Sequence, residues 1–590
     1  ETPIGGKLTQ PVIAGGKAFV AAKAQHAVFA LNEENGQVEW RFQAGGTVNS
    51  PPTIWAGKAI FGCNDGWVYC VAADSGELVW KYRAAPLDRR MIARENLESV
   101  WPVHGSVLVL PDPASGKGRV YCIAGRSIFL DGGLRSLVLD AESGRKIHES
   151  VMNHIDPDTG KDVQQGTEWP PDLPAGLPDV LSFSNDTIYM GIQPFSQGGK
   201  RRKVYYPKRS DYKIDGRGAK PMTTRPSGKD VHLFSTIGFL DDSEMHRSVW
   251  MYGRDSFGGC WGFPVATYAH PSGQILSVMK DSVYGYGRQF YNEGNQQFMH
   301  LFATARNPEL VSYEDRFRDQ PKKDRRGGPY VTRKTASVPR PKWSKFIDTY
   351  VRALLTAPSR EGGESDLLFT VGFPEVIDEH DAVDLIRKQQ RGGFELDPIY
   401  QKEKSLRGEF GAKLMVVSTA DGDVLSETKL DAPAVFDGMS AANGNLFIAD
   451  IKGRVVCLKP AAKKTFVTFD VPGAIAPPRP VPVKSAAPRS KPAPRTKTEP
   501  SPMFLRMDAN KDSKVTREEL LGLWTGIYPA KDKDGDGMLN VTEFGAPNAF
   551  KNMDTNRDGK ATLKEYRKLY SDQFDGLDKD QSGALTPDEM

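Results

Sequence analysis

The sequence predicts an all-β propeller of seven to eight four-stranded blades followed by a small all-α domain. Three observations predict it: a repeat with a period near 40 early in the 590-residue chain, a Pro-rich stretch after it, and a second repeat of about 23 residues at the end. Hydrophobic residues make up 39% and charged residues 26%, as in chains that fold around cores, and 58 Gly with 42 Pro suit many tight turns. No run of eighteen apolar residues exists, so no transmembrane segment is expected. Glu1 is not an initiator Met and no charged-then-apolar leader follows it, so a mature form or a fragment is expected.

The long repeat justifies the blades. Residues 12–20 are echoed by 53–61, with Gly16-Lys17-Ala18 standing where Gly57-Lys58-Ala59 stands. Each copy continues into an apolar strand, a turn and a tryptophan, and both the turn glycines, Gly36 and Gly76, and the tryptophans, Trp40 and Trp80, lie 40 residues apart. Weaker copies follow at 137–144, 414–422, 443–449 and 453–458, with strand-like fragments at 186–192, 232–240, 248–252 and 367–372. One four-stranded sheet cannot cover both of its faces, so each must pack on its neighbours until the ring closes. The glycines follow Asn, Asp or Ser in positions that need a left-handed backbone, and the tryptophans are expected to wedge between blades.

Residues 1–470 are therefore assigned to the propeller. Two basic insertions interrupt it, 198–229 with Lys200, Arg201, Arg202 and Lys203, and 306–345 with Lys322, Lys323, Arg325 and Arg326. Tyr205, Tyr206, Tyr212, Tyr330 and Trp343 are interleaved with them, but so are Asp211, Asp215, Glu314, Asp315 and Asp319, so there is no specific nucleic-acid signature. Five cysteines, Cys63, Cys70, Cys122, Cys260 and Cys457, form no CxxC pair and read as buried small hydrophobes. Glu98, Trp101, His104, Arg126, Asp131 and Gly132 form a polar-rich stretch that loop packing explains and that could also line a central pocket. His148 and His154 read as a solvated loop pair.

Residues 471–500 hold nine prolines, six Lys or Arg and one acid, Glu499, with too little apolar surface to fold, so they form a semi-rigid linker. Residues 501–590 carry a net charge of −4 behind a body of +8.

Within that acidic tail four twelve-residue loops begin at Asp508, Asp532, Asp554 and Asp578, spaced 24, 22 and 24. Oxygens recur at loop positions 1, 3, 5, 7, 9 and 12, and position 6 is usually Gly, which is the EF-hand pattern. Calcium takes about seven oxygens at ~2.4 Å, and only a chain wound tightly about the ion presents them from alternate residues. The first loop offers Asp508, Asn510, Asp512, the Lys514 carbonyl, Thr516 and Glu519; the second offers Asp532, Asp534, Asp536, the Met538 carbonyl, Asn540 and Glu543. The third offers Asp554, Asn556, Asp558, the Lys560 carbonyl, Thr562 and Glu565; the fourth offers Asp578, Asp580, Ser582, the Ala584 carbonyl, Thr586 and Glu589.

Four carboxylates predict the tightest binding for the second loop, and Ser513 at position 6 predicts the weakest complete one for the first, because a left-handed backbone costs a non-Gly residue ~1 kcal/mol. In the fourth loop only Met590 follows Glu589, so no exiting helix steadies that carboxylate. Phe504 with Met507, Phe550 with Met553 and Phe574 with Leu577 place apolar pairs on one helical face before a loop. Val515, Leu539, Ala561 and Leu585 stand where paired loops meet in a short β-bridge.

These residues resemble two families. The blade motif over 12–80, 136–144 and 413–458 resembles the repeat of pyrroloquinoline-quinone-type propellers, a group including quinoprotein alcohol dehydrogenases and a non-catalytic outer-membrane assembly lipoprotein. Residues 503–590 resemble EF-hand proteins, and the combination looks like large secreted bacterial propeller proteins. The quinoprotein resemblance implies a PQQ cofactor over the ring centre, a calcium beneath it and an Asp base. This sequence departs from it in having two full Trp endings, no neighbouring Cys pair and no match to the cofactor-binding acids. No nucleophile elbow, zinc-protease, P-loop or Rossmann motif is present. The expectation is an extracytoplasmic, periplasmic or secreted, calcium-binding propeller that binds or scaffolds a protein or glycan at its rim, with a PQQ-dependent dehydrogenase acting on alcohols or sugars as the alternative.

Overall fold

The computed structural model describes residues 1–93, 95–105, 107–155, 160, 178–191, 193–202, 212–215, 218–221, 231–235, 250–253, 270–288, 299–312, 337–357, 366–377, 381–382, 385–386, 397–459, 502–544, 547–578 and 582–586. The chain divides into two compact units, Glu1–Pro480 and Val481–Met590.

The first unit is an eight-bladed β-propeller built of antiparallel meanders. Blade one is Val12–Ala14, Lys17–Ala22, Ala27–Asn32 and Val38–Gln43, and blade two is Thr53–Trp55, Lys58–Gly62, Trp67–Ala72 and Leu78–Arg83. Blade three runs Leu108–Pro111, Gly118–Ala124, Leu134–Asp140 and Lys146–Met152. Blades four and five show three strands each among the described residues, beginning at Leu181–Ser184 and His232–Ser235. Blade six takes its fourth strand, Pro341–Lys345, from beyond an insertion that follows Met299–Ala305. Blade seven comprises Thr349–Ala357, Leu367–Pro374, Ala412–Ser418 and Val424–Leu430. Blade eight joins Ala434–Ala442, Asn445–Asp450 and Arg454–Leu458 to Thr2–Pro3, whose residues pair with Val455 and Arg454 and so clasp the ring.

The core lies between blades, and the two-residue period of each strand divides its side chains between two neighbours. In Lys17–Ala22, Phe19 and Ala21 pack with Ala59, Phe61 and Tyr69 of blade two, whereas Ala18, Val20 and Ala22 pack with Val435, Ala449 and Val455 of blade eight. Innermost strands are tied by side chain to backbone: Ser440 Oγ donates to the Pro11 carbonyl at 2.5 Å, and Ser184 Oγ to that of Val231 at 3.0 Å.

The tryptophan wedge is explicit. Trp40 Nε1 donates to the Ala73 carbonyl at 2.9 Å and Trp80 Nε1 to that of Ala141 at 3.0 Å, each reaching into the next blade. The ring lies against Gly76 or Gly144, where a Cβ would come within 2.7 or 2.6 Å of it, so the repeated glycine serves packing as well as the turn.

Trp343 is a third wedge, donating to the Thr419 carbonyl at 2.9 Å with its ring over Gly422, not an aromatic of a polymer-binding insertion. Arg201 and Arg202 are likewise engaged structurally, bonding Gln193 at 2.9 Å and Thr187 at 3.2 Å. Lys203, Tyr205, Tyr206, Lys322, Lys323, Arg325, Arg326 and Tyr330 lie outside the described residues, as does Cys260. Cys63, Cys70 and Cys122 are buried free thiols, and burial pushes those of Cys70 and Cys122 up to about 12, which keeps them protonated and inert. Cys457 departs from the expectation in being half-buried, since it sits on the blade-eight strand next to the two-residue clasp, which covers little of it.

The second unit is helical. Its first helix is Pro502–Met507, followed by the long helix Arg517–Lys531, the short pieces Val541–Phe544 and Pro547–Met553, and the long helix Leu563–Leu577. Thr516 and Thr562 start the long helices through capping boxes with Glu519 and Glu565, so loop positions 9 and 12 together cap the helix that follows. Phe504, Leu520, Tyr528, Phe550, Tyr566 and Phe574 form the core, which places the apolar residues before the loops inside.

Candidate metal centre

The second loop gathers charge most closely. The carboxylate oxygens of Asp532, Asp534 and Asp536 lie within 4.8 Å of one another. Two unit charges at that separation repel by about 1 kcal/mol in bulk water and by several at an effective dielectric constant near 20. The loop holds them there with its own amides. Asp532 accepts from the N–H of Gly535 at 2.8 Å and of Gly537 at 2.9 Å, and Gly537 supplies the bend at φ 80°. Asp536 accepts from Met538 N–H at 2.8 Å, and Glu543 folds back to accept from Lys533 at 3.0 Å and Asn540 at 3.0 Å.

The other loops repeat the design. In the third, Asp554 accepts from Gly559 N–H at 2.9 Å and Asp558 from Lys560 N–H at 2.9 Å, while Asn556 accepts from Asp558 N–H at 3.1 Å. The Thr562 N–H above all, with Thr555 and the Thr562 hydroxyl, holds the Glu565 carboxyl down at about 2. In the first, Asp508 accepts from Ser513 N–H at 2.9 Å, Asn510 and Asp512 are linked at 2.9 Å, and Glu519 accepts from Thr516 N–H at 2.9 Å. Ser513 does take the left-handed backbone, at φ 65°. In the fourth, Asp578 accepts from Ser582 and Gly583 N–H at 2.9 Å each, and Ser582 Oγ donates to the Ala584 carbonyl at 2.9 Å. Thr586 ends the described part of this loop; Asp580 and Glu589 lie outside the described residues.

The first three loops thus present hard oxygens from alternate residues around a tight bend, and the donor set fits calcium better than a soft thiophilic metal. Two contributors escape the ligand pattern. The Tyr528 hydroxyl lies 2.9 Å from the Gly537 carbonyl and 3.0 Å from that of Ala561, clasping the second loop to the third from beneath. Lys560, expected to give only its carbonyl, also sends Nζ across to Asp536 at 2.7 Å and holds that carboxyl low.

In the propeller, Glu98 is buried, accepting from Asn64 Nδ2 at 2.9 Å and from Arg126 at 3.2 Å, while Asn49 bonds Asn64 at 3.1 Å. Trp101 is buried, donating to the Asp131 carbonyl at 3.0 Å, and His104 is buried too. Asp131 and Gly132 stand exposed at a left-handed turn, at φ 54° and 78°, so the six do not converge on one cavity. His148 lies on a strand 2.9 Å from Ser150, whereas His154 rests against Phe129 at 6.3 Å between ring centroids, so they are no pair.

Comparison with known proteins bears on both units. A family model for outer membrane protein assembly factor BamB matches residues 1–152, and one for the EF hand matches residues 548–570. The outer membrane protein assembly factor BamB of Burkholderia pseudomallei (strain K96243) is 34% identical over 95 residues, 16% of this chain, and the chain spans 25% of that relative's length. Among solved structures, BamB from Moraxella catarrhalis aligns with 78% of this chain and 84% of its own at 11% identity and a TM-score of 0.29. Quinohemoprotein alcohol dehydrogenase from Comamonas testosteroni aligns with 76% of this chain and 70% of its own at 14% identity and a TM-score of 0.38. The chain therefore carries a PQQ-like propeller repeat of the BamB kind at its amino-terminal end and an EF hand near its carboxy-terminal end.

Proposed function

We propose that this chain is an extracytoplasmic calcium-binding propeller whose ring acts as a binding or scaffolding module for a protein or glycan at its rim. The observation that carries the calcium part is the convergence of Asp532, Asp534 and Asp536 within 4.8 Å in a loop closed by Glu543. The oxygens of Asp532, Asp534, Asp536, Asn540 and Glu543 and the Met538 carbonyl would hold the ion in the second loop, and Asp554, Asn556, Asp558, Thr562, Glu565 and the Lys560 carbonyl in the third. Bound calcium supplies the positive charge that cancels the mutual repulsion of these carboxylates. The protein-partner part draws support from the assembly role named for the matched relative. Extracellular modules bind calcium with Kd values of about 10⁻⁴ to 10⁻³ M, which suits constant occupancy outside a cell rather than signalling.

Calcium titration of the full chain by calorimetry is expected to find at least two sites, and fewer than two would contradict the metal reading. Titration with PQQ and calcium, followed by dye reduction on alcohols or sugars, tests the ring. Turnover there would replace the scaffold by a quinoprotein dehydrogenase.

A further inference from the structure

The two faces of the ring carry different turns. At one face the turns within blades, 33–37, 73–77, 112–117 and 141–145, hold none of the exposed large apolar side chains of the described residues. At the opposite face the connection from blade one to blade two runs only from 44 to 52. The next connection, from blade two to blade three, runs from 84 to 107 and folds into a hairpin, Arg90–Ala93 with Asn96–Ser99. Ile92 stands opposite Leu97 and Met91 opposite Glu98, and facing residues of an antiparallel pair share a side. Buried Glu98 marks the side turned to the ring, so Ile92 and Leu97, 79% and 55% exposed, lie on the other. The blade-three turn 125–133 opens at the same face and adds exposed Phe129 and Leu130. It is fastened to the foot of the hairpin, where Arg126 donates to the Ser99 carbonyl at 3.2 Å and Trp101 Nε1 to that of Asp131 at 3.0 Å.

Leu87, Met91, Ile92, Leu97, Phe129 and Leu130 leave about 600 Å² of surface uncovered, the upper end of what a soluble monomer ordinarily shows in one apolar patch. We propose that two copies of this chain associate through this face about a two-fold axis. Covering the patch on both copies removes about 1,200 Å² from water, the size at which specific interfaces begin. The hairpin edge points the same way. Among the described residues Arg90–Ala93 pairs with Asn96–Ser99 alone, so its outer edge is open. An open edge is a template for another chain, and it meets its own copy antiparallel across a two-fold axis, the symmetry of most dimers. Charge speaks against other occupants. Besides the internal Glu98–Arg126 pair, the sequence here sets Asp88, Glu95 and Asp131 against Arg89, Arg90 and Arg94. That balance offers neither an anionic lipid surface nor an acidic polymer a field of one sign.

Analytical ultracentrifugation of the full chain is expected to find a dimer at about 10 µM. Ile92→Asp and Leu97→Asp each place a charge in the covered patch and are expected to raise the dimer Kd about 30-fold or more. Val79→Asp, on the outer strand of blade two, is expected to leave it unchanged. All three side chains are exposed, so the variants keep the fold, which circular dichroism checks. A chain that stays monomeric up to about 100 µM would overturn the proposal. So would a dimer that ignores both hairpin substitutions, or one that yields to Val79→Asp as readily. Flotation with vesicles of phosphatidylglycerol and phosphatidylcholine tests the lipid occupant, and a monomer that binds them through Ile92 would replace the second copy by a membrane. None of these results touches the calcium reading.

Discussion

Trp343 and Gly422 form a contact whose energy can be tested by a double-mutant cycle. Trp343 is 7% exposed, donates to the Thr419 carbonyl, and covers Gly422, where a Cβ would sit 2.5 Å from the indole. Trp343→Ala opens a cavity and leaves that carbonyl without its donor, an expected loss of about 3–5 kcal/mol. Gly422→Ala carries two costs: ~1 kcal/mol for a residue with a Cβ at φ 78°, and about 1–3 kcal/mol for the overpacking. In the Trp343→Ala background the second cost disappears, so Gly422→Ala should cost only the ~1 kcal/mol of backbone strain there. Urea unfolding of the four chains, followed by circular dichroism in the β region, reads the cycle, with equal slopes required before midpoints are compared. If the two substitutions simply add, or if Trp343→Ala costs under ~1 kcal/mol as a surface aromatic would, the wedge is not where the structure places it.

Burial holds the His270 imidazole down at about 4, so the folded chain stays neutral there while the unfolded chain takes up a proton below ~6.5. Stability is therefore full above about pH 6.5 and falls as pH drops towards 4, by about 3 kcal/mol in all; His270→Gln should flatten the melting temperature over this window, and an unchanged slope would refute the assignment. Ser513→Gly removes the left-handed strain at φ 65° and should tighten the first loop about fivefold, read by calorimetry on a chain whose second and third loops are silenced, with no change refuting it. Arg126→Ala strands the buried Glu98 carboxylate and should destabilise the propeller by about 3 kcal/mol, whereas an effect below ~1 kcal/mol in urea unfolding would mean that solvent satisfies Glu98.

Blades one and two were legible because the short-range signals coincide: Gly36 and Gly76 turn the chain, and Trp40 and Trp80 follow at a fixed interval. Blade six hides the same wedge because its fourth strand begins at Pro341, far beyond the Ala305 end of its third, which breaks the period and leaves Trp343 among basic residues. Trp343 still precedes Lys345, which bonds Asp423 at 2.7 Å beside Gly422, a pairing visible only once distant strands meet. In the tail the loop spacing is local, so the left-handed backbone at Ser513 was readable from the sequence. Which loop faces which is a long-range choice, since spacings of 24, 22 and 24 suit more than one pairing. Tyr528 was invisible for the same reason, because its role depends on Gly537 and Ala561 coming together above it.

The clasp between Thr2–Pro3 and Arg454–Val455 fixes a timetable for biosynthesis. Blade eight cannot gain its outermost strand until residue 455 has been polymerised, so the first residues wait unpaired while the rest is made. At about 5–20 residues per second that wait lasts roughly 20–90 s, during which the first residues and the open flank of blade one are bare to any extended segment nearby. A newborn ring is thus most exposed to wrong partners at its seam, and a factor that shields this edge would raise the yield of closed molecules without touching the finished fold.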